Sequence, residues 1–312
     1  MPITARIPSR EQLHHEHPCF FKPVYYAMFV EPIKDALRAA GCDVRDADRP
    51  QRGIVIQFEF PDGAKVGGIV DYADQVHVDG LVDFALGEFE FCFKMKPCDR
   101  FAAEYYARAF SIYPYGYVIA PTYSGDPDDC NANRKWFFEN LRWLRGLRDG
   151  STGGGITSQN KPERLLTRGA FHAMHACPER QRLYDPEYDQ GGKDFDYRQH
   201  MQDVARAGFV LNACGPDNTI DRKVVEFCAI GSVILSNDGL ADLRLPWGGH
   251  FVNGENFWCV SSPAYVKYAV ATMDEATRQR LIAGSRALWE KCFDPASIGQ
   301  WLLKCAFEET YR

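Results

Sequence analysis

"GPDNTIDRKVVEFCAIGSVILSND", residues 215–238, decides how the chain is read. It continues from "FVLNACG" (209–215), an apolar strand that closes on glycine. Pro216 to Asp221 form a polar loop, and its Asp, Asn and Thr side chains are of the kind that cap helices. Apolar residues then recur at helical spacing through 219–230. Gly231 ends that run, and "SVILS" (232–236) turns back into strand. A strand, a helix and a second strand in this order form the unit from which parallel sheets are built. The free amides and dipole at the start of the helix point at the strand end, which favours an anion there. Arg222 and Lys223 add positive charge in the first turn, and Glu226 lies four residues after Arg222 on the same face. Taken alone, Arg222 and Glu226 have a second reading as an exposed ion pair worth about 0.3–0.5 kcal/mol.

The same alternation extends in both directions. Towards the amino terminus, "EPIKDALRAA" (31–40) reads as a helix ended by Gly41, with Pro32 in its first turn. "GIVIQFEF" (53–60) is a strand closed by the turn "PDG", and "VGGIV" (66–70) is a second one ending at Asp71. "FEFCFKM" (89–95) and "YGYVIAP" (115–121) complete the strands of this half. "NRKWFFENLRWLRGLRDG" (133–150) repeats apolar residues at helical spacing. "DGSTGGGITSQNKPE" (149–163) has the composition of a linker. Beyond it come the strand "RLLTRGAF" (164–171), the helix "YRQHMQDVARAG" (197–208) and the 209–236 unit. Helices near 262–290 and 296–309 close the chain. No internal repeat is present.

The expected fold is therefore α/β, with two Rossmann-like domains, each with a mainly parallel sheet, facing a cleft. Residues 1–155 form the first domain and 156–295 the second. A terminal helix over 296–312 is expected to pack back on the first. Ligands bind at the carboxyl ends of strands in such sheets.

The whole 209–236 stretch resembles the donor-binding segment of two-domain, GT-B-type glycosyltransferases. It is most similar to exostosin-like and bacterial polysaccharide glycosyltransferases. Their pattern runs Arg or Lys, a spacer, Glu, small residues, Gly and an apolar strand. Arg222, Lys223, Glu226, Gly231 and "VILS" match it in order. The resemblance implies that Arg222 or Lys223 contacts the diphosphate of a nucleotide-sugar donor such as a UDP-sugar, and that Glu226 holds the ribose. Asn212, Gly215, Asn218 and Thr219 line the same donor site. Many members carry a second acidic residue eight positions before the glutamate. Here Asn218 stands there with Asp217 beside it, so inversion and retention both stay open. "LLTRGAF" resembles the first strand and loop of the donor domain and brings in Arg168. In the amino-terminal half, "VGGIVDYADQ", "FCFKMKP" and "YPYGYVIAP" resemble acceptor-domain segments. Asp71, with Asp74 behind it, is the candidate base for an acceptor hydroxyl. Both carboxylates also read as caps of a turn or helix.

What this implies is a glycosyltransferase moving a sugar from a nucleotide-diphosphate donor to a glycan, a small metabolite or a modified DNA base. The leaving diphosphate is met by the helix and basic residues, so neither a cofactor nor a metal is expected. A binding module without catalysis is one alternative. Another is a metal-dependent GT-A-type transferase that uses Asp194 and Asp196 of "DFD" (194–196).

Composition is that of a globular, soluble protein. The 312 residues are 46% hydrophobic and 25% charged, with a net charge of −6 and a pI of about 5.8. That balance disfavours a broad nucleic-acid surface. No run approaches the ~20 apolar residues of a membrane helix, and the first twenty residues lack a signal-peptide core. A cytoplasmic location is expected. The eleven cysteines are odd in number and scattered without a CxxC pair, which fits buried reduced thiols. "HHEH" (14–17) reads as a solvated polar run near a chain end. His172 and His175 in "HAMH" have no third ligand at a set spacing. "GGG" (153–155) lacks the strand context of a dinucleotide fingerprint. No GxxxxGK[ST] or GxSxG occurs, which removes P-loop chemistry and the commonest hydrolase reading.

Overall fold

The computed structural model describes residues 2–14, 23–51, 53–71, 89–94, 111–114, 126–150, 165–166, 196–212 and 223–312. Several expectations lie outside these residues: the strand 115–121, the linker 151–163, and the site residues Asp74, Arg168, Asp194, Gly215, Asn218, Thr219 and Arg222. His172 and His175 lie outside as well.

Two compact units emerge. The first comprises Met1–Asn131, Arg244–Gly249 and Lys291–Arg312, and the second Ala132–Leu243 and His250–Glu290. The first is built on six strands: β1 (Thr4–Ile7), β2 (Asp43–Asp46), β3 (Val55–Glu59), β4 (Lys65–Asp71), β5 (Phe91–Lys94) and β6 (Ser111–Pro114). Their order is β2-β1-β3-β4-β5-β6. The pairs β1–β2, β4–β5 and β5–β6 run parallel, whereas β1–β3 and β3–β4 run antiparallel. The sheet is thus parallel in three of its five pairings, as expected of a mainly parallel one, and antiparallel on both sides of β3. The cause is local: "PDG" closes a tight hairpin, with Gly63 N–H donating to the Phe60 carbonyl, so β3 and β4 must be antiparallel. The strands β1 and β2 escaped the sequence reading because each is four residues long and carries charged side chains.

Buried faces explain the rest of this unit. Ala5, Ile7, Ile56, Phe58, Phe91 and Phe93 are fully enclosed. The helix α3 (Glu31–Ala39), preceded by α1 (Arg10–His14) and α2 (Pro23–Phe29), buries Ile33, Ala36 and Leu37. The last helix of the chain, Pro295–Thr310, packs closely against α3. A Cβ at Gly299 would stand 2.0 Å from the Ala36 carbonyl oxygen, so only glycine allows this approach. The same helix is tied to β6 by Trp301 Nε1–H donating to the Pro114 carbonyl at 2.6 Å, and by the Tyr113 hydroxyl donating to Glu309 at 2.5 Å. Segment 244–249 joins the unit through the Trp247 indole, which donates to the Ser297 carbonyl at 3.0 Å, and through the Cys292 thiol on Pro246.

The second unit carries α4 (Pro127–Arg148, all but its first turn), α5 (Tyr197–Arg206), α6 (Lys223–Ile230), α7 (Pro263–Thr272) and α8 (Glu275–Cys292, save its last two residues), α9 being the terminal helix just described. Its sheet has the order β10-β9-β8-β7, from Trp258–Cys259, Ile234–Ser236, Phe209–Asn212 and Leu165–Leu166. All three pairings are parallel. Phe209, Leu211, Val233, Leu235, Val260, Leu281 and Ile282 form its core. The helix expected near 262–290 is two helices. Met273 is extended, and the Asp274 side chain accepts from Thr277 N–H at 2.6 Å to cap α8.

Gly231 is explained by its backbone. It has φ 88° at the end of α6, and both its N–H and that of Ser232 donate to the Phe227 carbonyl. A Cβ there would also meet the Arg286 guanidinium at 2.3 Å. Arg286 caps the helix at the Ile230 carbonyl and grips Asp149 through two bonds of 3.0 and 2.8 Å. Gly231→Ala is expected to destabilise the unit by about 1–3 kcal/mol, through left-handed strain and displacement of Arg286. Urea unfolding checks this, and an unchanged midpoint would contradict it.

Candidate functional site

The carboxyl edge of the second sheet is where polar residues gather. Val210, Leu211 and Asn212 of β8 align with Ile234, Leu235 and Ser236 of β9, so the two strands end side by side. Each reads as apolar residues followed by one polar residue, as strands buried on both faces do when they open onto a ligand edge. Asn212 and Ser236 are both buried, and the Asn212 amide donates to Ser236 Oγ at 3.3 Å. The Ser236 hydroxyl in turn donates to Asn237 Oδ1 at 3.4 Å.

Lys223 opens the described part of α6 and is half-buried. One turn on, Glu226 is only 3% exposed. Its Oε1 accepts from the Tyr197 hydroxyl at 2.8 Å, and Tyr197 is itself buried. A carboxylate so enclosed requires hydrogen-bond donors to remain charged. This corrects one reading: Glu226 belongs to no exposed pair on a surface helix. Tyr197 is held in place by Trp136 of α4, whose ring meets its own edge to face at 6.4 Å. No local pattern marks Tyr197, because nothing in its spacing links α5 to α6.

Asp196, the last residue of "DFD", has a different job. It is the N-cap of α5, and its carboxylate accepts from the N–H groups of Arg198 at 2.9 Å and Gln199 at 3.3 Å. Both bonds fall on Oδ1, and this capping role accounts for an Asp at this position without a metal. Among the described residues, no group of three or more His, Cys, Asp or Glu side chains is placed to hold a metal.

In the first unit, Asp71 ends β4 opposite Lys94, the last residue of β5. The two side chains are fully buried and meet at 3.0 Å. Cys92 lies two residues before Lys94 on the same strand, and burial, reinforced by the Asp71 charge, pushes its thiol well above the usual range. The seven described cysteines are all free thiols, and six are buried. Burial raises Cys42 to about 11 and Cys292 to about 12, so these thiols stay protonated and inert at neutral pH. No described helix is long and apolar enough to cross a membrane.

No protein-family model matches the chain, and no curated protein matches it in sequence. Two solved structures of Anabaena Alr3699/HepE, one in complex with UDP-glucose and one with UDP and glucose, are similar to it at TM-scores of 0.37 and 0.36. Each is 12% identical over 73% and 72% of this chain. The alignments span 66% and 65% of the HepE chains, just under two thirds of their length.

Proposed function

We propose that the protein is a glycosyltransferase of two-domain, GT-B type, which takes its sugar from a nucleotide-diphosphate donor. The observation that carries this reading is Glu226: a buried carboxylate on the helix that follows β8, in a four-stranded parallel sheet whose adjacent strands end in Asn212 and Ser236. The second unit is the donor side in this reading, and the first the acceptor side. Glu226 binds the ribose hydroxyls. Lys223, with Arg222 before it, meets the diphosphate and stabilises the charge that grows there as the glycosidic bond breaks. Asn212, Gly215, Asn218, Thr219 and Arg168 complete the donor contacts. The acceptor is a glycan, a metabolite or a modified DNA base.

No metal is required in this scheme, and the GT-A alternative loses ground because Asp196 is a helix cap. Asp71 and Asp74 are the candidate acceptor bases. The Asp71 carboxylate is already engaged by Lys94, so a base role demands a loss of turnover beyond any loss of stability.

A thermal-shift screen with UDP, GDP, ADP and their sugars tests the reading. At a hundredfold excess over Kd, a true ligand adds about 2.7 kcal/mol to stability and raises the midpoint. If no nucleoside diphosphate moves the midpoint, the proposal fails. Turnover with EDTA present separates the metal-dependent alternative, and binding without turnover on any donor points to a module that lacks catalysis. Neutralising Lys223 or Arg222 should lower both donor affinity and kcat, because their charge matters most in the transition state. A folded double variant with normal kcat would remove both from the mechanism.

A further inference from the structure

We propose that the polar face of the amino-terminal sheet carries a second ligand site, for an acidic sugar: a ring that brings hydroxyl donors and one anionic group. The site is separate from the donor reading and does not depend on it. Strand alternation builds it. Ala5, Ile7 and Phe58 point to one side and are fully buried. Arg6 is paired in register with Gln57, and Glu59 with Lys65, on the opposite side. A cavity of about 250 Å³ opens over this face, walled by the 47–51 loop. At ~30 Å³ per water molecule it has room for one sugar ring.

The wall is fixed before any ligand arrives. Ala47 N–H donates to the Ile7 carbonyl at 3.0 Å, and the Gln12 amide donates to the Ala47 carbonyl at 2.5 Å. Arg6 bridges to Asp48 at 2.7 Å. One group in this cavity lacks what its chemistry calls for, and a second is open to a ligand. Gln51 is only 7% exposed, and its side-chain oxygen has no hydrogen-bond donor. Such a buried acceptor is costly until a hydroxyl or N–H reaches it. Charge is the second feature. Arg6 is matched by Asp48, and Lys65 by Glu59 at 3.4 Å, whereas Arg49 at the rim is exposed and has no carboxylate partner among the described residues, so its guanidinium is open to an anion. One hydroxyl donor for Gln51 and one anion for Arg49 describe an acidic sugar. Phe58 borders the cavity, but its ring is enclosed on the opposite side of the sheet and offers no face for a nucleobase.

Calorimetric titration of the full chain tests this with four probes: glucuronate, glucose 6-phosphate, glucose and inorganic phosphate. At least one of the two acidic sugars should bind saturably, about fivefold or more tighter than both glucose and phosphate; the better of the pair tells carboxylate from phosphate. Arg49→Ala and Gln51→Leu should each weaken it about tenfold. Gln51→Leu should leave the unfolding midpoint unchanged or raised, because it removes an unmet acceptor. Glu226→Gln should leave the acidic-sugar Kd unchanged. The proposal is overturned if neither acidic sugar binds, if phosphate alone binds as well as glucose 6-phosphate, or if the two variants bind normally. A fall in midpoint for Gln51→Leu, or a weaker acidic sugar in Glu226→Gln, also overturns it.

Discussion

Asp71→Ala is expected to lower the stability of the amino-terminal unit by about 3–5 kcal/mol. Asp71 and Lys94 end neighbouring parallel strands in register, with both side chains fully buried and 3.0 Å apart. Removing the carboxylate strands an ammonium in a low-dielectric interior. The pair itself is worth far less than its breakage suggests, because both charges were desolvated to form it. The double change Asp71→Leu with Lys94→Met should therefore recover most of the loss. Urea unfolding of the three proteins measures this directly. A loss below about 1 kcal/mol in the single variant would mean that water reaches the pair.

The same variants decide the base assignment. Asp71→Asn keeps the shape of the side chain, so a base role predicts a fall in kcat of about 10²–10⁴ in the folded protein. Full turnover by the Leu/Met double variant would leave Asp71 as a strut. Its partner could have been found in the sequence, since "GIVD" and "FCFK" both end apolar runs with one charge. Placing them side by side required the register, which no local pattern contains.

That difference runs through the whole chain. Much of the second unit was legible because parallel strands buried on both faces, such as "FVLN", read as unbroken apolar runs bounded by glycine, although the two-residue β10 (Trp258–Cys259) was not read. The first unit was less so. "TARI" and "DVRD" are strands by virtue of their neighbours: β1 enters between β2 and β3, and its pairing overrides a weak local preference. The helix break at Met273 was hidden because apolar spacing continues across it, and only the Asp274 cap marks the restart. Of the candidate site, Asn212, Lys223 and Glu226 were visible as polar residues at fixed places in a βαβ unit. Tyr197 was not, since it meets Glu226 across 29 residues of sequence.

Tyr197 also supplies the control for the second large effect. Glu226→Gln is expected to weaken donor binding by about 1–3 kcal/mol, or roughly 5- to 150-fold in Kd, because the ribose hydroxyls lose a charged acceptor. Glutamine keeps the length of the side chain and an oxygen for the Tyr197 hydroxyl, so the α5–α6 contact survives and the variant folds. Tyr197→Phe makes the opposite cut. It removes a donor from Oε1 but leaves the charge, and should lower stability by about 1–2 kcal/mol with a smaller change in donor affinity. If Glu226 is instead only a strut between the helices, the order reverses: both variants shift the unfolding midpoint and neither changes the donor Kd. Titration of UDP and a UDP-sugar into the two folded variants separates the cases. Unchanged affinity in Glu226→Gln would withdraw the ribose assignment, and with it the observation on which the glycosyltransferase reading rests.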